Sequence, residues 1–493
     1  MNFSVSPHKR ITSLHRNLSI NISFLCYYIF VKLHPFWIQL FYFILISSIG
    51  FLFLKLLPNK HSSLKLNNLD VFFMAVSAST VSSMSTVEME VFSNVQLLVL
   101  TLLMLLGGEV FVSMLTLHVN NKCLLKQSQK TNNIISLTTN SDYLKKSKYM
   151  RYLLHVILAY FILIHASGYA MIIAYVSLIP SARQVLHGKG LNVHTFTIFS
   201  VVSSFTNCGF IPTNENMMVF KKCTGLLLMI ITLVLTGNTL FPACLSFLIW
   251  VLERITRREE FGNIFKDKTN GVFAHLFPGL HSVLMLALTV AGFIVIQMIL
   301  FCCMEWSSES LQGLNAYQKL VGALFQSVNS RHAGESIVDL STISPAILVL
   351  YLVMMYLPPY TCFLPAEREA DGEDDANKGR LSLIESLMFS QVANLSIFTI
   401  MICITERKSI SHDPLNFNVL NIVTEIISAY GNVGFSTGYS CERQLKPDPN
   451  CKDSWVGFSG RWSTQGKLIL ILVMFFGRLK KFSMHGGKAW KLC

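Results

Sequence analysis

Apolar residues in this chain come in runs that alternate long, short, long, and the alternation occurs four times. The long runs lie at about 36–57, 94–119, 150–180, 223–252, 279–304, 342–363, 382–405 and 464–480. Between the members of each pair stands a shorter, moderately apolar run, at about 68–81, 193–205, 317–328 and 417–430. About 20 apolar residues cross a bilayer as helix. The long runs therefore predict spans, and the short ones predict half-helices that enter the bilayer and turn back. Each short run ends on small and polar residues: Thr80-Val-Ser-Ser-Met-Ser-Thr86, Thr206-Asn-Cys-Gly-Phe210, Asn329-Ser-Arg-His-Ala-Gly-Glu335 and Gly431-Asn-Val-Gly-Phe-Ser-Thr437.

Backbone that stops being helical at membrane depth is tolerated only where it lines a water-filled path or is buried in protein. Four such breaks in matching places predict one ring of four. Glycine suits these turns because it reaches dihedrals closed to other residues and lets carbonyls face inward. Such rings of carbonyls can replace an ion's hydration shell. A re-entrant helix also directs its negative C-terminal end at a cation. The fold expected is an all-α polytopic membrane protein: four membrane–pore–membrane repeats, with eight transmembrane and four re-entrant pore helices, around a central pore.

The same pattern divides the chain. An interfacial N-terminal segment covers 1–35, and the repeats cover 36–120, 149–255, 278–365 and 382–493. Between them lie a basic loop at 121–148, a second loop at 256–277 and an acidic linker at 366–381. The short apolar stretch at 20–31 reads as a helix lying along the inner interface. The sequons at Asn17 and Asn21 then face the cytoplasm. A cleaved leader is not expected, because Val31-Lys-Leu-His-Pro35 offers no small-residue cleavage site.

Composition agrees with that picture. Of 493 residues 52% are hydrophobic and only 14% charged, with a mean hydropathy of +0.50. That balance excludes the two to four soluble domains the length would otherwise allow. The net charge of +13 does not indicate nucleic acid, because the basic residues sit in short loops beside apolar spans. The stretch 121–151 alone holds Lys122, Lys126, Lys130, Lys145, Lys146, Lys148 and Arg151 against Asp142. Short loops rich in Lys and Arg mark the cytoplasmic side, which places both termini inside.

Chemistry-bearing residues are sparse. No phosphate-binding or dinucleotide-binding motif and no nucleophile–base arrangement occurs, so no enzyme and no cofactor is expected. His155, His165 and His281 are isolated on apolar spans and read as core histidines. The twelve cysteines are scattered, mostly within apolar runs, without zinc spacing. Cys441 and Cys451 differ: they flank an outer, Pro-rich loop where either a disulfide or two free thiols would be compatible with the sequence.

The segment around Val76-Ser-Ala-Ser-Thr-Val-Ser-Ser-Met-Ser-Thr-Val-Glu-Met-Glu resembles the first pore loop of plant HKT transporters, in the Trk/Ktr/HKT superfamily. Asn329-Ser-Arg-His-Ala-Gly-Glu-Ser-Ile-Val, Met354-Met-Tyr-Leu-Pro-Pro-Tyr360, Gly477-Arg-Leu-Lys-Lys-Phe482 and Gly486-Gly-Lys-Ala-Trp-Lys-Leu492 are similar to the same family. The resemblance runs from about residue 36 to the end. It implies a plant plasma-membrane protein that passes alkali cations down their gradient through a pore within each chain. Membrane lipid surrounds such a protein, and the family allows a homodimer. The family's filter positions fall on Ser83, Gly209, Gly334 and Gly434. A Ser-Gly-Gly-Gly filter goes with sodium-selective members, and four glycines with members that also carry potassium. The resemblance thus implies a sodium uniporter with a role in sodium retrieval and salt tolerance. A mixed sodium and potassium transporter is the alternative within the class. An ion-coupled carrier is the alternative outside it, disfavoured by the short half-helices and the lack of midplane acids.

Ionisable groups near the expected pore complete the reading. Glu88 and Glu90 follow the first filter segment and stand either as cation attractors at the mouth or as ion-pair partners of a neighbouring loop. Glu335, with Arg331 and His332 just before it, is expected to pair locally. Glu109, within a span, either bonds another helix or faces the lower pore, and the structural role is the one expected. Arg478 ends the last span and corresponds to an arginine that projects toward the pore in this superfamily, where it would form a barrier or pair with a carboxylate.

Overall fold

Helix starts in this protein are written mainly by Ser, Asn and Pro. The computed structural model describes residues 35–60, 66–131, 137–256, 280–357, 391–445, 449 and 451–480. The expectations for the N-terminal interfacial helix and its sequons, the 256–277 loop, the acidic linker and the end of the C-terminal tail lie outside those residues. The first repeat comprises α1 (Pro35–Leu56), pore helix α2 (Asn68–Thr80), α3 (Asn94–Gly107) and α4 (Glu109–Thr131). The second comprises α5 (Leu137–Leu178), a short α6 (Pro180–Gly188), pore helix α7 (Val193–Thr206), α8 (Thr224–Val234) and α9 (Phe241–Thr256). The third has α10 (Leu280–Glu305), pore helix α11 (Ala316–His332) and α12 (Pro345–Tyr356). The fourth has α13 (Gln391–Thr405), a short α14 (Arg407–His412), pore helix α15 (Val419–Gly431) and α16 (Thr464–Arg478). The chain is thus an all-helical membrane protein of four helix–pore helix–helix units.

Capping explains many of these boundaries. Capping boxes formed by Ser93 with Gln96 and by Asn315 with Gln318 open α3 and α11. Asn192, Asn418 and Ser463 cap α7, α15 and α16, and Pro345 sits in the first turn of α12. Two buried acids carry the device further. Glu305, ending α10, accepts the Ser344 N–H at the start of α12 (2.7 Å), and Glu406 accepts the Ser463 N–H at the start of α16 (2.9 Å). Negative charge at a helix N-terminus is favourable. In both repeats it ties the end of the first span to the start of the last.

Three described segments, Phe36–Leu56, Ser147–Leu178 and Val283–Glu305, are each long and apolar enough to cross a bilayer. The spans expected at 94–119 and 223–252 are not continuous. Asn94–Gly107 and Glu109–Lys122 meet at 54°, and Thr224–Gly237 and Phe241–Thr256 at 82°. Glycine at the break allows close packing on a pore helix. A Cβ on Gly107 would overlap the Ser79 carbonyl of α2, and one on Gly237 would overlap the Phe205 carbonyl of α7. The π-helical turn Leu235–Thr239 accompanies the second break, and Tyr160 Oη donates to its Thr236 carbonyl at 2.5 Å. The expected basic loop at 121–148 is also largely helical. It extends α4 and α5 beyond the spans, and Ser147 Oγ donates to Asn121 Oδ1 (2.7 Å) across the hairpin.

Apolar packing follows the membrane setting. Phe73, Phe92, Phe199, Phe325 and Tyr430 are buried between repeats, while Phe41, Leu52, Ile162, Leu284 and Leu472 are exposed on outward faces. Outward apolar faces are where a bilayer would meet the protein. The polar backbone of the four breaks is left at the centre.

Candidate functional site

Ser83, Gly209, Gly334 and Gly434 all have positive φ, at 54°, 91°, 68° and 97°. Each lies just beyond the C-terminus of its pore helix. Three pore helices end alike: Val81, Asn207 and Asn432 are left-handed C-caps at φ 60°, 57° and 54°. Each returns N–H groups to the last helical turn, as in Ser82 N–H to Ser77 O (2.8 Å) and Val433 N–H to Ser428 O (3.0 Å). The third repeat departs from this. There α11 continues to His332, Ala333 stays right-handed, and the N–H groups of Ala333 and Gly334 both reach Asn329 O.

The four residues close into one ring. A Cβ on Gly209 would overlap the Ala333 carbonyl, one on Gly334 the Val433 carbonyl, and one on Gly434 the side chain of Ser83. Cys208, the residue before Gly209, completes the circle, its thiol lying beside the Ser83 backbone. Glycine is required where neighbouring backbones approach so closely at positive φ. Ser83 is accommodated because the residue facing it, Gly434, has no side chain.

The ring is not fourfold symmetric. Gly209 N–H donates to Ser203 Oγ (3.1 Å) and Gly434 N–H to Ser428 Oγ (3.0 Å), each a serine six residues back on its own pore helix. Ser77 holds that position relative to Ser83, yet its hydroxyl is buried without a hydrogen-bond partner. Val328 stands there in the third repeat.

Outside the ring opens a cavity of about 400 Å³ lined by all four residues. Among the described residues, Asp339, Glu442 and Asp453 line it against one cation, Arg443. A mouth lined by excess negative charge raises the local concentration of cations. Cys441 and Cys451 are disulfide-bonded beside this wall, which settles the choice the sequence left open, and Cys441 N–H donates to Asp453 Oδ1 (2.7 Å).

Glu88 and Glu90 do not line the cavity; they tie outer loops together. Glu90 pairs with Lys189 (2.9 Å) and accepts the Asn214 N–H (3.1 Å), while Glu88 accepts the Trp455 N–H (3.1 Å). Lys189 also pairs with Glu215 (2.5 Å). Burial lowers the Lys189 pKa, but the bonds to Glu215 and Glu90 outweigh it and leave the pKa raised.

Glu335 is wholly buried, and the bond it makes runs to the second repeat: Ser204 Oγ donates to it at 2.6 Å. The Arg331 guanidinium, expected as its local partner, lies over the Phe293 ring at 4.8 Å. A buried acid the sequence reading missed, Glu425 of α15, accepts the Ser459 N–H (2.8 Å) and so anchors the loop behind the Gly434 segment. Also missed were the Lys467–Asp70 pair (2.7 Å) joining α16 to α2 and the bond from Asn432 to Ser82. Asn207 and Asn432 share an offset of two before a glycine of the ring, a repeat signal readable from the sequence. The long-range pairings carry no such signal.

On the side of the ring opposite the cavity, Arg478 Nη1 lies 3.6 Å from Glu109 Oε2, and Nη2 donates to the Gly107 carbonyl. The guanidinium rests over Phe43 at 5.5 Å. Arg478 therefore fastens the end of α16 to the kink between α3 and α4. His155 and His165 each bond the carbonyl four residues back, Arg151 O and Phe161 O. Among the described residues no group of three His, Cys, Asp or Glu is placed to hold a metal ion.

Comparison with known proteins gives concordant results. The TrkH family, described as a cation transport protein, matches residues 11–362 and 369–485. The sodium transporter HKT1 of Arabidopsis thaliana is 48% identical over 452 residues, covering 86% of this chain and 89% of its own. The cation transporter HKT1;3 of Oryza sativa subsp. japonica is 46% identical over 488 residues, covering 93% and 92%. The crystal structure of the potassium transporter TrkH from Vibrio parahaemolyticus aligns over 92% of this chain and 84% of its own, with a TM-score of 0.53 at 13% identity. That last likeness concerns the fold alone.

Proposed function

Because the chain belongs to the TrkH cation transport protein family and, within it, to the plant HKT transporters, we propose that it is a channel-like uniporter selective for sodium. The observation that carries the selectivity is the residue at the first of the four positive-φ positions: serine at 83, where the other repeats have glycine. The ion would enter from the acid-lined mouth, exchange water for the carbonyls of the ring and leave past the Arg478–Glu109 pair. No step couples it to another solute, so the driving force is its own gradient.

A physical account of the preference follows from backbone freedom. Glycine at 83 could turn to match its counterparts and complete a site of equivalent carbonyls. Serine adds a Cβ and a hydroxyl at a dihedral that L-residues adopt rarely. The distorted ring disfavours the larger ion more, because potassium needs the full set of carbonyls while sodium passes with part of its water. Basic segments flanking the spans support termini on the cytoplasmic face. The name of the sodium transporter HKT1 of Arabidopsis thaliana supports sodium as the ion, and a plasma-membrane role in sodium retrieval and salt tolerance is part of the same proposal. A homodimer embedded in lipid fits this reading, with one pore in each chain.

Two-electrode recordings in oocytes, with sodium and potassium varied separately outside, test the proposal. The wild type should show a reversal potential that tracks sodium alone. Ser83→Gly should raise potassium permeability relative to sodium at least several-fold. A wild-type reversal potential that follows potassium equally would refute sodium selectivity, and an unchanged ratio in Ser83→Gly would refute its assignment to Ser83.

A further inference from the structure

We infer that Asn432, in the fourth repeat, is a positioning residue for the serine of the first repeat's filter segment and thereby a determinant of which cation passes. The inference rests on the assignment of Ser83 to the filter. It begins from strain. Val81 and Ser83 both hold left-handed backbone, at φ 60° and 54°, and Val81 is β-branched, for which that region is a genuine outlier. Conformations of this kind persist only where the surroundings over-determine them. Two of the glycine segments have a local anchor, the serine six residues back that receives the filter N–H. The serine segment lacks it, since the Ser77 hydroxyl has no partner.

What holds the segment comes from the neighbouring repeat of the ring. Asn432 Nδ2 donates to Ser82 Oγ at 2.6 Å, over a separation of 350 residues, and the same hydroxyl shares a hydrogen with Thr80 Oγ1 at 2.7 Å. The Asn432 amide is itself fixed, reaching the carbonyls of Ala429 and Met474 at 3.3 Å each. It therefore joins the end of pore helix α15, the last span α16 and Ser82, the residue between the strained Val81 and Ser83. Two residues beyond Asn432, Gly434 leaves open the place that the Ser83 side chain occupies. The 432–434 turn thus fixes Ser82 through a hydrogen bond and admits Ser83 through a missing Cβ. Loss of the bond would free Ser82 and let Ser83 relax toward the glycine arrangement that passes potassium.

The test measures relative permeability of potassium to sodium in oocytes, with surface biotinylation, for Asn432→Ala, Ser82→Ala, the double variant, Ser83→Gly and Asn432→Ala in the Ser83→Gly background. Asn432→Ala and Ser82→Ala should each raise the ratio about five-fold, the scale of one lost hydrogen bond. The double variant should match either single variant, because the same bond is removed twice. In the Ser83→Gly background, Asn432→Ala should add less than two-fold. Wild-type selectivity in both single variants, or multiplied effects in the double, overturns the inference. If Asn432→Ala fails to reach the surface, Ser82→Ala decides the matter, since it deletes only the acceptor hydroxyl. Should Ser83→Gly shift selectivity while the other two do not, this inference alone fails. An unmoved Ser83→Gly removes the filter assignment and this inference with it.

Discussion

At the scale of single residues, glycine does two separable things in this protein, and variants can tell them apart. At Gly209 and Gly434 the backbone is left-handed and a Cβ would also strike a neighbouring repeat. At Gly438 φ is 61°, yet nothing stands within 4 Å of an added Cβ. Alanine at 209 or 434 should therefore reduce whole-cell current at least ten-fold at equal surface density, whereas Gly438→Ala should retain most of it. Similar losses at all three sites would show that dihedral strain, not ring contact, sets the requirement. Gly209, Gly334 and Gly434 were legible because each follows a short apolar run. The partner of Ser82 was not, since nothing local connects residues 350 positions apart.

At the scale of elements, the kink at Gly107-Gly108 looks like a weakness until Arg478 is placed against it. The guanidinium takes the Gly107 carbonyl that the break frees and meets the Glu109 carboxylate at the start of the next helix. Both side chains are only 10% exposed. Removing one member of a buried pair costs about 3–5 kcal/mol, whereas replacing both by apolar groups of like size is often neutral. Glu109→Gln should thus lower the midpoint of thermal unfolding in detergent, and pairing Arg478→Met with Glu109→Leu should recover much of the loss. An unaltered midpoint in the single variant would mean that the pair does not hold the kink. The sequence marked Glu109 and Arg478 separately as candidates for pairing. Only packing of α16 on the α3–α4 corner brings them together.

At the scale of the whole molecule, four unlike repeats make one ring, so the complete path is encoded once per chain. Any association between copies would set two paths side by side without mixing their rings. Oocytes expressing wild type with Ser83→Gly should accordingly show reversal potentials that fit a sum of two independent conductances. A third, intermediate permeability would point to a filter shared between chains. The outer wall of the path carries the Cys441–Cys451 bridge, which closes a short loop on the acid-lined cavity. Breaking a disulfide of this kind removes about 2–4 kcal/mol of restraint on the unfolded loop. Cys441→Ser should therefore speed proteolysis of the outer loop and alter current at low external sodium, where steering by Asp453 matters most; unchanged protease sensitivity would argue against a structural role for the bridge.

What the sequence determined by itself was the order of long and short apolar runs, the position of the four breaks and the odd residue at 83. All of these follow from local properties: run length against bilayer thickness, and the narrow set of residues that tolerate left-handed backbone. The tertiary structure decided the rest. It bent two spans where glycine meets a pore-helix carbonyl, turned Glu88 and Glu90 into loop ties and joined Asn432 to Ser82. Those outcomes depend on which helices lie side by side within a repeat and between neighbouring repeats. That adjacency is fixed by packing of whole helices and has no signature in the neighbouring residues of the chain.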